Sequence, residues 1–276
     1  MSTNDGPHAT LSATPEATLD AMADRFSAAA HQYAVSEQKG GDDLDAIVSA
    51  VRDLHAGLVV DIATGPGSTA LALAPVAGRV VGTDVSPGMI DTARTRAADA
   101  TIDNATFEVA PVENLPFADA EVDVVTCRIA AHHFADVPGA LAEVRRVLRP
   151  GGALVLLDSL APDDAEVAGF LHEIETRRDP THVRAYTTGE WVAMVEAAGF
   201  VVDSLATYPK PKAFEPWLER GGVDEAEMAA VRELVRTAPP AARDGLSIEY
   251  DDAGLPSRFA DDKLLVLAHL REEDDR

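Results

Sequence analysis

The stretch that decides the fold is LVVDIATGPGSTALALA, Leu58 to Ala74. Apolar Leu58–Val60 reads as a buried strand and Ser68–Ala74 as the opening of an Ala- and Leu-rich helix, so the glycines between them stand on a strand-to-helix turn. Outward from this turn the chain alternates. Strands are predicted over Leu58–Ile62, Arg79–Asp84, Thr106–Val109, Val122–Arg128, Ala153–Ser159, Phe200–Tyr208 and Lys263–Leu270. Amphipathic helices are predicted over Asp45–His55, Ser68–Val76, Gly88–Ala100, Val137–Leu148 and Thr188–Ala198. Such alternation predicts an α/β fold with a doubly wound, mostly parallel sheet covered by helices. Ligands of these sheets sit beyond the strand carboxyl ends, at the topological switch point, and the first strand ends at the quoted glycines.

Composition narrows the partners. The chain has 276 residues and 46% hydrophobic content, enough for one large core or two small ones. Its 47 acidic residues against 23 basic ones give a formal charge of -24, which excludes nucleic-acid phosphates and anionic membranes as expected partners, because both need a basic patch. Only four of the basic residues are Lys: Lys39, Lys210, Lys212 and Lys263. Scarce Lys with abundant Asp and Glu suits a high-salt cytoplasm, where dense carboxylates hold water and their repulsion is screened; the alternative is an ordinary acidic protein from a GC-rich genome. One cysteine, Cys127, permits no intramolecular disulfide, and no metal-ligand spacing stands out. The first twenty residues carry neither a basic start nor an apolar run, so a cytoplasmic location is expected. The oligomeric state is open between monomer and homodimer.

Two cofactor classes compete for the glycine turn. A dinucleotide wants G-x-G-x-x-G and a carboxylate about 20 residues on for the ribose. TGPGSTA supplies Gly65 and Gly67, but Ala70 stands at the third position. Asp61 decides more: a carboxylate inside the strand end repels a pyrophosphate and suits a ligand carrying an ammonium and a sulfonium. S-adenosylmethionine has both. Asp84, closing the second strand in VVGTDVSPGMI, serves ribose hydroxyls in either class.

At this point four ordered stretches, VVDIATGPGSTA, VVGTDVSPGMI, VENLPFADAEVDVVTCRIAAHHF and EVRRVLRPGGALVLLD, resemble a class I S-adenosylmethionine-dependent methyltransferase of the branch similar to ubiquinone and menaquinone biosynthesis methyltransferases. The resemblance implies a seven-stranded Rossmann-like sheet with an antiparallel last strand. It also implies roles. Asp61, Thr64, Gly65 and Gly67 would line the methionine end, Asp84 with Val85 the ribose, and Met89 the adenine face. The backbone of Pro111, Val112 and Glu113 would border the adenine edge, although many relatives carry Asp where Pro111 stands. Arg128 would support the methionine carboxylate or line the substrate entrance.

Acceptor chemistry is read from outsiders. His132 and His133 follow the fourth strand where substrate should arrive, and His133 is the candidate base. His182 and Arg184 in RDPTHVRAY are candidate substrate contacts, and Tyr33 is a candidate cation-π partner of the sulfonium. Residues 1–20 read as a disordered tail, 21–57 as a helical N-terminal cap, 58–208 as the core, 209–257 as a helical insertion, and 258–276 as the last strand with an acidic tail. The insertion, with a helix over Val223–Thr237, and the cap are expected to form the substrate lid. The sequence leaves two alternatives to a small-molecule methyltransferase: a nicotinamide-dependent reductase, and a catalytically silent adenine-nucleoside binding protein.

Overall fold

A computed structural model describes residues 15–36 and 41–271. Helices α1 (Pro15–Ser36) and α2 (Asp42–Leu54) precede the sheet. The first half then alternates β1 (Leu58–Ile62), α3 (Ser68–Leu73), β2 (Arg79–Asp84), α4 (Pro87–Asp99), β3 (Ala105–Val109) and β4 (Val122–Arg128). The second half follows with α5 (Val137–Val147), β5 (Leu148–Ser159), α6 (Ala165–Arg178), α7 (Thr188–Ala197) and β6 (Phe200–Ala213). After β6 come α8 (Phe214–Glu219), α9 (Glu225–Arg236), α10 (Pro240–Gly245), the two-residue β7 (Glu249–Tyr250) and β8 (Pro256–Leu270).

The strands run in the order β3-β2-β1-β4-β5-β8-β6, with β7 beside β8. Pairs from β3 through β5 are parallel, and β8 is antiparallel to both β5 and β6, as the resemblance implied. Period-two alternation sorts the core onto two faces. Val59, Val124, Val155 and Leu157 bury against Ile47, Leu73 and Ile90 of one helical layer. Val60, Val125, Cys127, Leu154 and Leu156 meet Leu141, Val144 and Trp191 of the other. Strand order reverses between β1 and β4, and there Asp61 stands opposite Thr126.

Several elements differ from the sequence expectation; β5 opens at Leu148 rather than Ala153, and β8 opens at Pro256 rather than Lys263, inside the expected insertion. Residues 15–20, assigned to a tail, open α1, while 1–14 lie outside the described residues. Strand β6 continues through Pro209 and Pro211 to Ala213, because it is the sheet's edge on that side and an edge proline needs no inward donor. Helix α6 was not anticipated, although Asp164 caps it by accepting from Glu166 N and Val167 N, and Val167, Phe170, Leu171 and Ile174 bury on one face. The insertion begins after Ala213, and its α8–α10 pack on that face of α6: Trp217, Leu218, Val231 and Val235 close a third core with Phe170 and Ile174.

Candidate functional site

The loops that leave β1, β2, β3 and β4 at their carboxyl ends open onto one cavity of about 690 Å³, roofed by Leu19, Met22, Phe26 and Tyr33 along one face of α1. Asp61, 1% exposed, sits at its floor and accepts from Thr64 Oγ1 at 2.5 Å and Thr126 Oγ1 at 2.6 Å. Asp84 closes β2, with Oδ2 accepting from Gly65 N and Oδ1 from Ser86 N, both at 2.9 Å. Burial raises the Asp84 carboxyl above its ordinary value against the pull of those two backbone donors. Val85, Met89, Pro111, Val112 and Glu113 complete this half of the wall.

The two glycines of the turn do different work. Gly65 has φ +54, lines the cavity, and a Cβ there would touch nothing within 4 Å, so its bare backbone faces open space. Gly67, with φ +81, is not on the cavity wall, contrary to the expected ligand-lining role. A Cβ on it would come within 2.9 Å of Ala93 and 3.0 Å of Phe107, so its missing side chain lets α3 start tight against α4 and β3. Sequence reasoning missed Ala63 and Ile129, which follow the two switch-point strands with φ 48 and 52 and line the cavity. A β-branched residue in that conformation is strained; Ile129 is held there by donating its N–H to Leu157 O at 2.7 Å.

Arg128 reaches the cavity already paired. Its Nε and Nη2 lie 3.1 and 3.0 Å from Asp43 Oδ2 on α2, which also accepts from Lys210 at 2.8 Å. Burial opposes ionisation of Asp43, but Lys210 and Arg128 together hold its carboxyl below the ordinary range.

The histidines separate. His133 lines the cavity with its ring centre 5.2 Å from that of Phe26 in an edge-to-face arrangement, and Phe26 in turn meets Tyr33 edge-to-face with centres 6.1 Å apart. His132, 7% exposed, turns away from the cavity, and its Nδ1 lies 2.6 Å from Asp158 Oδ1 while its backbone N donates to Asp158 Oδ2 at 2.7 Å. Burial, then the neighbouring His132, pushes His133 well below the usual histidine value. His182 is likewise lowered, to about 4, by burial and His132. His182 and Arg184 line a second cavity of about 200 Å³, and Arg184 is ion-paired with Glu190, so neither joins the first cavity.

No insertion residue between α8 and β7 is among those that line the main cavity. The roof residues described come from α1, and the insertion meets that helix where Arg25 donates to Gly221 O. Deleting Val223–Thr237 would uncover the apolar face of α6 rather than open the cavity. Among the described residues no group of His, Cys, Asp or Glu is arranged to hold a metal ion, and no helix is long and apolar enough to cross a membrane.

This donor set fits S-adenosylmethionine. A buried carboxylate with free lone pairs ends β2, another lies at the switch point, and the Gly65 backbone is open. A pyrophosphate would meet both carboxylates instead. Comparison with known proteins agrees: residues 60–156 match the methyltransferase domain family. The uncharacterized methyltransferase YcgJ of Bacillus subtilis is 33% identical over 226 residues, covering 82% of this chain and 89% of that protein. Its crystal structure superposes with a TM-score of 0.79 over 83% of this chain and 98% of that one. The protein YafE of Escherichia coli is 35% identical over 190 residues, 69% of this chain and 89% of its own length. A demethylmenaquinone methyltransferase of Deinococcus radiodurans is 32% identical over 166 residues, 59% of this chain and 66% of that protein. These matches displace the nicotinamide alternative: the chain belongs to the class I S-adenosylmethionine-dependent methyltransferases.

Proposed function

We propose that the protein methylates a small, uncharged and largely apolar acceptor through an X–H group, a hydroxyl, amine or acidic carbon. One observation carries this: among the described residues lining the cavity the cationic side chain is Arg128, which Asp43 already neutralises, while Asp61, Asp84, Glu113 and Asp136 line the same space. With Asp61 and Asp84 engaged by the cofactor, a carboxylate or phosphate acceptor would still enter past Glu113 and Asp136, and among the described lining residues no unpaired cationic side chain would receive it. The roof of Leu19, Met22, Phe26 and Tyr33 offers apolar surface to an uncharged body.

When bound, S-adenosylmethionine supplies a methyl group on a cationic sulfur. Asp84 would accept from the ribose hydroxyls beside Val85, Asp61 with Thr64 would face the ammonium, and Met89 with the backbone of Pro111, Val112 and Glu113 would border adenine. Helix α1 would exclude water, and Tyr33 and Phe26, which line its roof, would supply aromatic surface for the cationic centre. Positioning supplies much of the rate in a displacement at an activated carbon. One proton is released per turnover from an X–H acceptor, and Nε2 of His133 takes it.

Transfer of labelled methyl from S-adenosylmethionine into a metabolite extract tests the acceptor class. Label is expected in the uncharged, organic-extractable fraction; label confined to the anionic fraction overturns the reading. Cofactor contacts are tested by calorimetry. Asp61→Asn keeps an oxygen and a nitrogen for Thr64 and Thr126 but removes the charge, so S-adenosylmethionine should lose about tenfold in affinity while adenosine, lacking both cationic groups, changes little. Equal loss for both ligands would make Asp61 structural. The same protein binding cofactor with no acceptor turned over would favour a silent sensor.

The acid surplus we read as an adaptation to high salt in the cytoplasm. The melting temperature should then rise steeply from low to molar KCl as carboxylate repulsion is screened. A flat melting temperature leaves an ordinary acidic protein.

A further inference from the structure

The ring of His133 is oriented from outside the cavity. Its Nδ1 lies 3.0 Å from the carbonyl oxygen of Thr181 and 3.1 Å from Thr181 Oγ1. A carbonyl only accepts, so in the neutral ring Nδ1 carries the proton and Nε2 keeps the lone pair. The hydroxyl is committed the same way: Thr181 Oγ1 donates to Asp179 Oδ1 at 2.6 Å, which leaves its own lone pairs for the Nδ1 proton.

Asp179 is built to hold that arrangement. It is 3% exposed, and its Oδ1 also accepts from Thr181 N at 3.0 Å, closing the turn that carries the threonine. Arg25 and Arg178 stand 3.7 and 3.9 Å from its carboxylate and balance its charge. The loop as a whole is pinned beside the histidines, with Val183 N and Arg184 N both donating to His132 O at 2.9 and 3.1 Å. A turn that only capped α6 would need the Asp179–Thr181 bonds; it would not need both threonine acceptors to converge on one ring nitrogen 48 residues earlier.

We propose that Thr181, held by Asp179, is a positioning residue that fixes His133 as the Nδ1–H tautomer with Nε2 presented to the methyl acceptor. The inference rests on the reading of His133 as the proton acceptor, and the experiment separates the two. Ring-nitrogen NMR of histidine-labelled protein reports the tautomer directly. Transfer of labelled methyl from saturating S-adenosylmethionine into a metabolite extract reports its use. Wild type should show the Nδ1–H form of His133. Thr181→Val keeps the volume but loses one of the two acceptors of the Nδ1 proton and the Asp179 bond that anchors the turn carrying the other, so it should raise the Nε2–H population and slow methyl transfer about fivefold to tenfold, with cofactor affinity unchanged. Thr181→Ser should restore both signals, and Asp179→Asn, which keeps the Oδ1 acceptor, should fall between. A His133 tautomer unmoved in Thr181→Val, or no rescue by Ser, overturns the positioning role. A tautomer that moves while transfer stays at the wild-type rate upholds the positioning role and removes His133 from the chemistry.

Discussion

Asp84→Asn is expected to weaken S-adenosylmethionine binding by about tenfold to a hundredfold, roughly 1.5 to 3 kcal/mol, while the protein remains folded. The carboxylate already accepts one backbone N–H on each oxygen, from Gly65 and Ser86, and each oxygen keeps a further lone pair for a ribose hydroxyl. Asparagine retains one acceptor and sets an amide NH₂ against one of those backbone donors. A ligand bond is lost, and the Gly65 turn is loosened with it. Adenosine should suffer as much as S-adenosylmethionine, because the lost contacts lie at the ribose; this separates Asp84 from Asp61, whose substitution spares adenosine. The pH dependence follows from the raised carboxyl value of Asp84. Affinity requires the ionised form, so it should fall on acidification at a higher pH than an ordinary carboxylate would give, and Asp84→Asn should abolish that leg. Calorimetry of both ligands on wild type and variant decides it: unchanged affinity in a folded variant removes Asp84 from the ribose site.

Strand ends were legible in the sequence because an apolar run that stops at a carboxylate or a glycine turn has one physical reading at a time. Asp61 and Asp84 were placed that way, and both stand on the cavity wall. The purpose of a glycine was not legible. Gly65 and Gly67 both take positive φ, but Gly67 is demanded by Ala93 and Phe107, which approach it only in three dimensions. Adjacent histidines were equally opaque. His132 and His133 lie in a short 3₁₀ turn, Ala131–His133, where successive side chains diverge by about 120°, so one reaches Asp158 and the other the cavity. The partners of these groups are distant in the chain, Asp43 to Arg128 by 85 residues and Thr181 to His133 by 48, and no local pattern announces them. Helix α6 is the opposite case: Asp164 followed by Val167, Phe170, Leu171 and Ile174 is a cap and an apolar stripe, a local signal present in the sequence although the helix was not anticipated, whereas a helix of the insertion that covers it was.

His133→Ala is expected to lower methyl transfer by about a hundredfold or more while S-adenosylmethionine affinity stays within a few fold. The argument turns on what kind of base this histidine is. Burial and His132 hold it far below the usual histidine range, so it is neutral at any working pH and its Nε2 is permanently available. A base so weak does not deprotonate a hydroxyl in the ground state. It has no need to: as the new bond to carbon forms, the acceptor atom gains positive charge and its proton becomes strongly acidic, so a weak base in fixed geometry suffices late in the step. Two consequences distinguish this from a conventional base. The rate should show no loss between about pH 8 and 6 attributable to His133, since its protonation lies well below that window, the direction set by burial. His133→Gln, which can present an amide oxygen but cannot take the proton, should recover hydrogen-bond positioning and only part of the rate. Measured against label incorporation from S-adenosylmethionine, a loss smaller than about threefold in His133→Ala would recast the ring as a wall for Phe26. An acid limb near pH 6.5 that vanishes in the variant would mean that contact with cofactor and acceptor lifts His133 back to an ordinary histidine, acting early in the reaction.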